Sequence, residues 1–161
     1  DGLFELAGEW LAERVSTEVV TGAGEWDGAY LVHWLRGSRG EADARRVEEA
    51  LRARGGNTAG EAVLSIDPDG RVHPDPFWRT ASVGDLTRET LAEVLAHPKL
   101  ADLRRREDLL RGRCRDCRWL DLCRGGHRAR AEAATGDPWG DDPACPLSSS
   151  EIAPVPEGVV R

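Results

Sequence analysis

Methionine is absent from these 161 residues, and lysine occurs once, at Lys99. The missing methionine raises the expectation that the numbered chain begins after a processed or omitted segment of a longer parent. Arginine supplies all the other positive charges, a bias that reflects genome composition more than function. No apolar run approaches the length needed to span a bilayer, so no membrane partner is expected. Asp1-Gly2-Leu3-Phe4 offers neither a basic n-region nor an apolar h-region, so no secretory signal is read and a cytoplasmic location is expected. The net charge of −7 leaves no broad basic face, which argues against a nucleic-acid partner. There is no P-loop and no dinucleotide glycine fingerprint. Gly55-Gly56-Asn57 with Gly60 lies at a helix-to-strand junction, the wrong order for a phosphate on a helix N-terminus.

Cysteine is scarce too, but all four copies fall in the last third: Cys114, Cys117, Cys123 and Cys145. Their order is C-x2-C-x5-C and then a singleton. A disulfide scaffold is not expected, because the chain has enough Leu, Val, Ala and Trp to build a core. A nucleophilic cysteine needs one exposed, activated thiolate, and four clustered ones do not describe it. Four soft thiolates on one centre describe an iron–sulfur cluster or a structural zinc. Cys114 and Cys117 share one tight turn, Cys123 can follow a short helical turn back, and Cys145 must return on the loop Asp141-Asp142-Pro143-Ala144-Cys145-Pro146. Zinc ribbons pair one C-x2-C with another, whereas Cys123 and Cys145 are singletons. Both metals stay open on spacing. His127 is an alternative ligand, a donor to a ligand, or a helix-start histidine with no metal role. The basic stretch Arg104 to Arg118 reads as a solvated helix face or as a positive field around an anionic cluster or substrate.

Apolar spacing predicts a helix over 3–15 with Leu3, Leu6, Ala7, Trp10 and Leu11 on one stripe. Thr17–Thr21 reads as a strand, 29–35 as a helix, and 41–54 as an amphipathic helix with Ala42, Val47, Ala50 and Leu51 inward, stopped by Gly55-Gly56. A strand over 62–66, the turn Asp67-Pro68-Asp69-Gly70 and a return over 71–73 form a β-hairpin. Helices follow over 86–97, with Leu86, Leu91, Val94 and Leu95 inward, over 99–110, and over 126–134, closed by Gly136. The stretch from Pro146 onward reads as extended, with a flexible tail over 153–161.

The run from Cys114 through Cys123 to His127-Arg128-Ala129-Arg130, with Thr135-Gly136-Asp137 and Asp142-Pro143-Ala144-Cys145, resembles the C-terminal SPASM or twitch region of radical S-adenosylmethionine enzymes. Ile66 to Asp75 and Phe77-Trp78-Arg79 resemble its hairpin, and Ser82 to Leu86 its next element. Gly55-Gly56-Asn57 brings the likeness closer to the branch that modifies tetrapyrroles in heme and heme d1 biosynthesis.

The resemblance covers roughly residues 1–152 and implies an α+β chain. Residues 1–56 would be the end of a partial (β/α) barrel. Residues 57–152 would be an auxiliary-cluster domain of a small β-hairpin plus helices. Cys114, Cys117, Cys123 and Cys145 would hold one 4Fe–4S cluster that passes electrons or binds substrate. Asp75 stands where the hairpin cysteine of a full SPASM domain would be, and His127 where a further clustered cysteine would be, which implies that the other auxiliary cluster is missing.

The radical-generating C-x3-C-x2-C motif is also missing. S-adenosylmethionine and its cluster are therefore expected only in the N-terminal radical region of the full-length parent. A tetrapyrrole substrate with several carboxylates makes Arg128, Arg130 and Arg104–Arg106 candidates for pairing with it, with His127, His73 and Asp75 as further candidates for contact with substrate or with the ligands. An electron donor protein is a further expected partner. Two alternatives are a peptide-modifying relative and a non-enzymatic electron-transfer or zinc-stabilised module.

Overall fold

A computed structural model describes residues 2–17, 19–21 and 24–154. Three helices come first: α1 (Gly2–Ala12), α2 (Trp26–Ser38) and α3 (Glu41–Arg54). A three-stranded antiparallel sheet follows, in the order β1 (Ser65–Ile66), β2 (Arg71–His73) and β3 (Gly84–Asp85). Short helices complete the chain: α4 (Leu91–Leu95), α5 (Pro98–Arg104), α6 (Arg106–Leu109), α7 (Gly112–Arg115), α8 (Leu120–Cys123), α9 (Arg128–Thr135) and α10 (Ser149–Ile152).

The 41–54 helix forms with the expected bounds, and Gly55 ends it in the left-handed conformation. Its inward stripe is Ala44, Val47 and Leu51, while Ala42 and Ala50 are exposed. Ala44, Val47 and Leu51 share one face at helical spacing, and the other two alanines lie off it. The α1 stripe forms at helical period but is not covered by the described residues: Leu11 is 81% exposed and no α1 side chain is buried. Phe4 alone makes ring contacts across to α2, 6.0 Å from Tyr30 and 5.6 Å from Trp34. Thr17 and Val19–Thr21 form no strand, since no described strand lies beside them. Glu18 and Gly22, also in that expected strand and its end, lie outside the described residues.

The hairpin is present but starts late. Thr58 O collects the backbone N–H groups of Glu61, Ala62 and Val63, so these donors close a tight turn and cannot enter a ladder. Pairing begins at Ser65↔His73 and Ile66↔Val72. The Asp67 carboxylate accepts from Asp69 N and Arg71 N, both at 3.0 Å, which fixes the turn. The 86–97 helix shortens to α4 because Thr90 and Glu93 make a reciprocal capping box that sets its start. Of its expected inward residues only Val94 is buried and Leu86 partly so, while Leu91 and Leu95 are exposed. The 99–110 helix breaks at Arg105, next to Arg106, whose side chain turns inward. The segment after Pro146 is not simply extended: Ser148 caps α10 and Ile152 is buried. Residues 155–161 of the expected tail lie outside the described residues.

Two apolar clusters hold these elements. One joins Ala29 and Val32 of α2 and Ala44 of α3 to Trp119, Leu122, Leu147 and Ile152. It therefore spans both sides of the expected boundary at residue 56. The other joins Val72, Trp78, Ala81 and Val83 to Val94, Leu100 and Leu103. Trp78 is its largest member. Its Nε1 donates to Glu132 Oε2 at 2.6 Å, and the Lys99 ammonium lies 4.6 Å from its ring. Trp78→Ala is expected to cost roughly 3–5 kcal/mol, a large part of the ~5–15 kcal/mol that holds a typical domain. Urea denaturation checks this, and a loss below about 1 kcal/mol would count against this cluster as a core.

Candidate metal centre

The four cysteines are all free thiols, each half-buried. They line one small cavity together with Trp26, Ala29, Trp119, Leu120, Gly125, Asp142 and Leu147. Its volume is about 20 Å³. Short elements deliver them. Cys114 lies in α7, Cys117 follows it, and Cys123 closes α8, where its N–H bonds Trp119 O at 3.0 Å. Trp119 anchors this run: it is buried, its backbone N–H points to Cys117 Sγ at 3.4 Å, and its indole N–H bonds Glu151 O at 3.0 Å.

Cys145 is brought in by two adjacent aspartates. Asp141 Oδ1 accepts the N–H of Cys114 at 3.0 Å. Asp142 accepts from His127 N at 2.8 Å, Ala144 N at 3.1 Å, and Arg130 Nε and Nη2 at 3.0 and 2.8 Å. Burial alone would raise the Asp142 carboxyl, but Arg130 and the two backbone N–H groups hold it below the ordinary carboxylate range. Gly126 makes the close approach possible. It sits at φ 68°, and a Cβ there would collide with Asp142 Oδ2.

Burial pushes the Cys114, Cys117 and Cys123 thiols up, with the charge of Glu25 and then of the other cysteines adding at Cys123. Without metal these groups are therefore thiols. The donor set fits a thiolate-bound metal group: four unpaired cysteines line one apolar cavity, and the buried indole N–H of Trp26 on its wall has no partner among the described residues. No three His, Cys, Asp or Glu side chains among the described residues converge tightly enough to hold a single ion.

The other candidates fall elsewhere. His127 is buried, its ring meets Phe77 edge-on at 5.3 Å, and its Nδ1 has no partner among the described residues; it does not line the cavity. Arg128 is buried against backbone carbonyls, and Arg130 grips Asp142. His73 is buried in the hairpin, with Nδ1 against Ala81 O at 3.0 Å and Nε2 against Asp67 at 3.4 Å. Asp75 caps the next turn, accepting from Phe77 N at 2.7 Å and Trp78 N at 2.9 Å. Arg104 bonds Leu95 O, Arg105 pairs with Asp102, and buried Arg106 bonds Asn57, Leu103 and Ala59, so Arg106 is not free to meet a substrate. Sequence reasoning missed Trp26, which sits far from the cysteines in the chain. It also missed the clamp formed by Asp141 and Asp142, although the Asp-Asp-Pro-Ala-Cys run carries it.

Two outcomes follow. Asp142→Asn keeps the shape but removes the charge that Arg130 grips. We expect a loss of roughly 3 kcal/mol in thermal or urea unfolding, the low end for breaking a buried pair, because Arg130 is a third exposed; an unchanged midpoint would contradict the clamp. Thiols raised by burial contribute stability that is complete below their unfolded pKa of ~8.5 and is lost as pH rises through the folded values. The metal-free chain should therefore lose stability above about pH 9, read by tryptophan fluorescence, and a flat profile to strongly alkaline pH would count against buried thiols.

The SPASM family, described as an iron–sulfur cluster-binding domain, matches residues 58–118. That match includes Cys114 and Cys117 and ends before Cys123. The chain is 40% identical over 136 residues to a pre-heme d1 synthase of Dinoroseobacter shibae, covering 83% of this chain and 34% of that protein. It is 39% identical over 141 residues to an Fe-coproporphyrin III synthase of Methanosarcina barkeri, covering 84% and 35%. An AdoMet-dependent heme synthase of the same organism is 26% identical over 119 residues, covering 70% and 34%. The chain spans about a third of the length of these curated relatives. No solved structure matches. Residues 58–118, with the hairpin and the first two cysteines that they carry, are thus similar to the SPASM iron–sulfur cluster-binding domain.

Proposed function

We propose that this chain is the auxiliary-cluster portion of a radical S-adenosylmethionine enzyme that alters a tetrapyrrole side chain. Cys114, Cys117, Cys123 and Cys145 would hold one 4Fe–4S cluster. The observation that carries this reading is the enclosure of one cavity by all four thiols, three of them in a single short run and the fourth fixed by Asp141 and Asp142. When bound, such a cluster supplies one-electron transfer or a ligand site for substrate.

The chain's own residues then do three things. The cysteines give up their protons to become ligands. Trp119, Leu122 and Leu147 keep water from the sulfurs. The paired aspartates hold the returning loop. Because the ligands must be deprotonated and brought together, metal binding and fold would be coupled.

The tetrapyrrole substrate class rests on the two relatives near 40% identity, both named for heme-type products. Helices α1–α3 would belong to the end of a partial (β/α) barrel, and the uncovered α1 stripe accords with that place. S-adenosylmethionine chemistry and an electron donor protein would engage a preceding region. The protein would work in the cytoplasm. Among the described residues no helix is long and apolar enough to cross a membrane.

Anaerobic loading with iron and sulfide tests the reading. We expect four irons and four sulfides per chain with a brown charge-transfer band, as a cubane requires. Alanine at any one of the four cysteines should lower iron content sharply, while His127→Ala should leave it unchanged. One tightly held zinc per chain and no bound iron would overturn the proposal.

A further inference from the structure

Two arginines among the described residues are fully buried, and only Arg128 lies behind the wall of the thiol cavity. Arg106 is 0% exposed and Arg128 is 1% exposed. Arg106 uses its Nε and both terminal nitrogens on Leu103 O, Asn57 Oδ1 and Ala59 O. Arg128 donates through Nη1 to Pro138 O at 2.9 Å and Gly140 O at 2.7 Å, and through Nη2 to Gly125 O. Its Nε has no partner among the described residues. No described carboxylate forms an ion pair with it: of the two aspartates whose charge it feels, Asp142 is gripped by Arg130 and Asp141 accepts the Cys114 N–H. Carbonyl oxygens satisfy its hydrogens but do not balance its charge, and a buried unbalanced cation is costly.

The missing negative charge has one place to come from. Gly125, whose carbonyl Arg128 holds, lines the thiol cavity, and a Cβ on Gly125 would stand 3.4 Å from the guanidinium carbon. Burial weakens Arg128 as a cation, and Cys114 is the group that most opposes this, ahead of Asp142 and Cys123. On the cavity wall Trp26 carries a second buried N–H without a partner among the described residues. The unbalanced Arg128 cation with its open Nε thus lies behind Gly125 of the cavity wall, and the open Trp26 N–H lies on that wall. A sulfur-rich anionic group answers all three deficits together.

We propose that Arg128 is the built-in counter-charge of the cluster held by these cysteines and raises its reduction potential, with the Trp26 indole as a neutral donor acting in the same direction. This rests on the cluster reading above. Reduction adds an electron to an already anionic group, and a fixed cation in a dry site favours the reduced form. Arg128 would thus be a tuning residue and not a contact for substrate carboxylates.

The test is redox titration of the iron- and sulfide-loaded chain, read by EPR, with iron content measured on each sample. Failure of the unaltered chain to bind iron would remove the cluster reading itself, independently of Arg128. Given a loaded chain, Arg128→Gln should shift the midpoint to lower potential, Arg128→Lys should stay near the original value, and Trp26→Phe should give a smaller shift in the same direction as Arg128→Gln. Arg106→Gln is the control, an equally buried guanidinium tied to another loop, and should leave the midpoint in place. An unchanged midpoint in Arg128→Gln overturns the proposal. If Arg128→Gln fails to load, Arg128→Lys decides. Loading with a near-original midpoint supports the counter-charge, and failure of the lysine variant as well assigns Arg128 to loop structure and overturns it.

Discussion

Cys145 stands beside three other thiols because Asp141 and Asp142 fix its loop in two directions. Asp141 ties it to the backbone of Cys114, and Asp142 ties it to the start of α9 through His127 and Arg130. Gly126 leaves the room for Asp142 to approach. Without these ties the loop would carry the ordinary freedom of an irregular segment, and a four-sulfur site would have three members. The rest of the cysteine region is shaped around that closure. Trp119 seals its floor, and α10, capped by Ser148, returns Ile152 and the Glu151 carbonyl to hold Trp119.

The same region concentrates electrostatic cost. Three thiols are pushed up by burial, Arg128 is buried without a paired carboxylate, and the Trp26 and His127 nitrogens lack partners among the described residues. A fold selected for stability alone would have little use for such a collection. On the cluster reading, each of these features except the His127 nitrogen would ease once an anionic sulfur group occupied the cavity. The hairpin side shows the opposite character. Asp67, His73 and Asp75 each satisfy neighbouring backbone or ring groups, and Asp75, at a position where the family resemblance places a ligand cysteine, serves as a turn cap.

The gathering of the cysteines at one cavity was legible because its signal is covalent spacing: C-x2-C-x5-C places three sulfurs within two short turns. The hairpin was legible from Asp67-Pro68-Asp69-Gly70, since that turn chemistry is local. Helix α3 was legible in its bounds, but its inward face was misjudged by taking Ala42 and Ala50 for core. The start of α4 was hidden because Thr90-x-x-Glu93 was passed over in favour of apolar spacing. The roles of Arg106 and Arg128 were not legible at all. Arg106 sits in a run of arginines that reads as a solvated face, and only tertiary packing shows that it turns inward to Asn57 and Ala59 and that Arg128 turns inward to backbone carbonyls. Trp26 was hidden for the same reason, because its place on the cavity wall depends on α2 packing against α8.

The account stands on four sulfurs binding one iron–sulfur body. A crystal structure of the anaerobically loaded chain, with anomalous data at the iron edge, tests this most directly. The account predicts one compact iron cluster bonded to Sγ of Cys114, Cys117, Cys123 and Cys145, with Asp141 still on the Cys114 N–H. Iron bound by three cysteines with Cys145 turned away, or by His127 in its place, would contradict it.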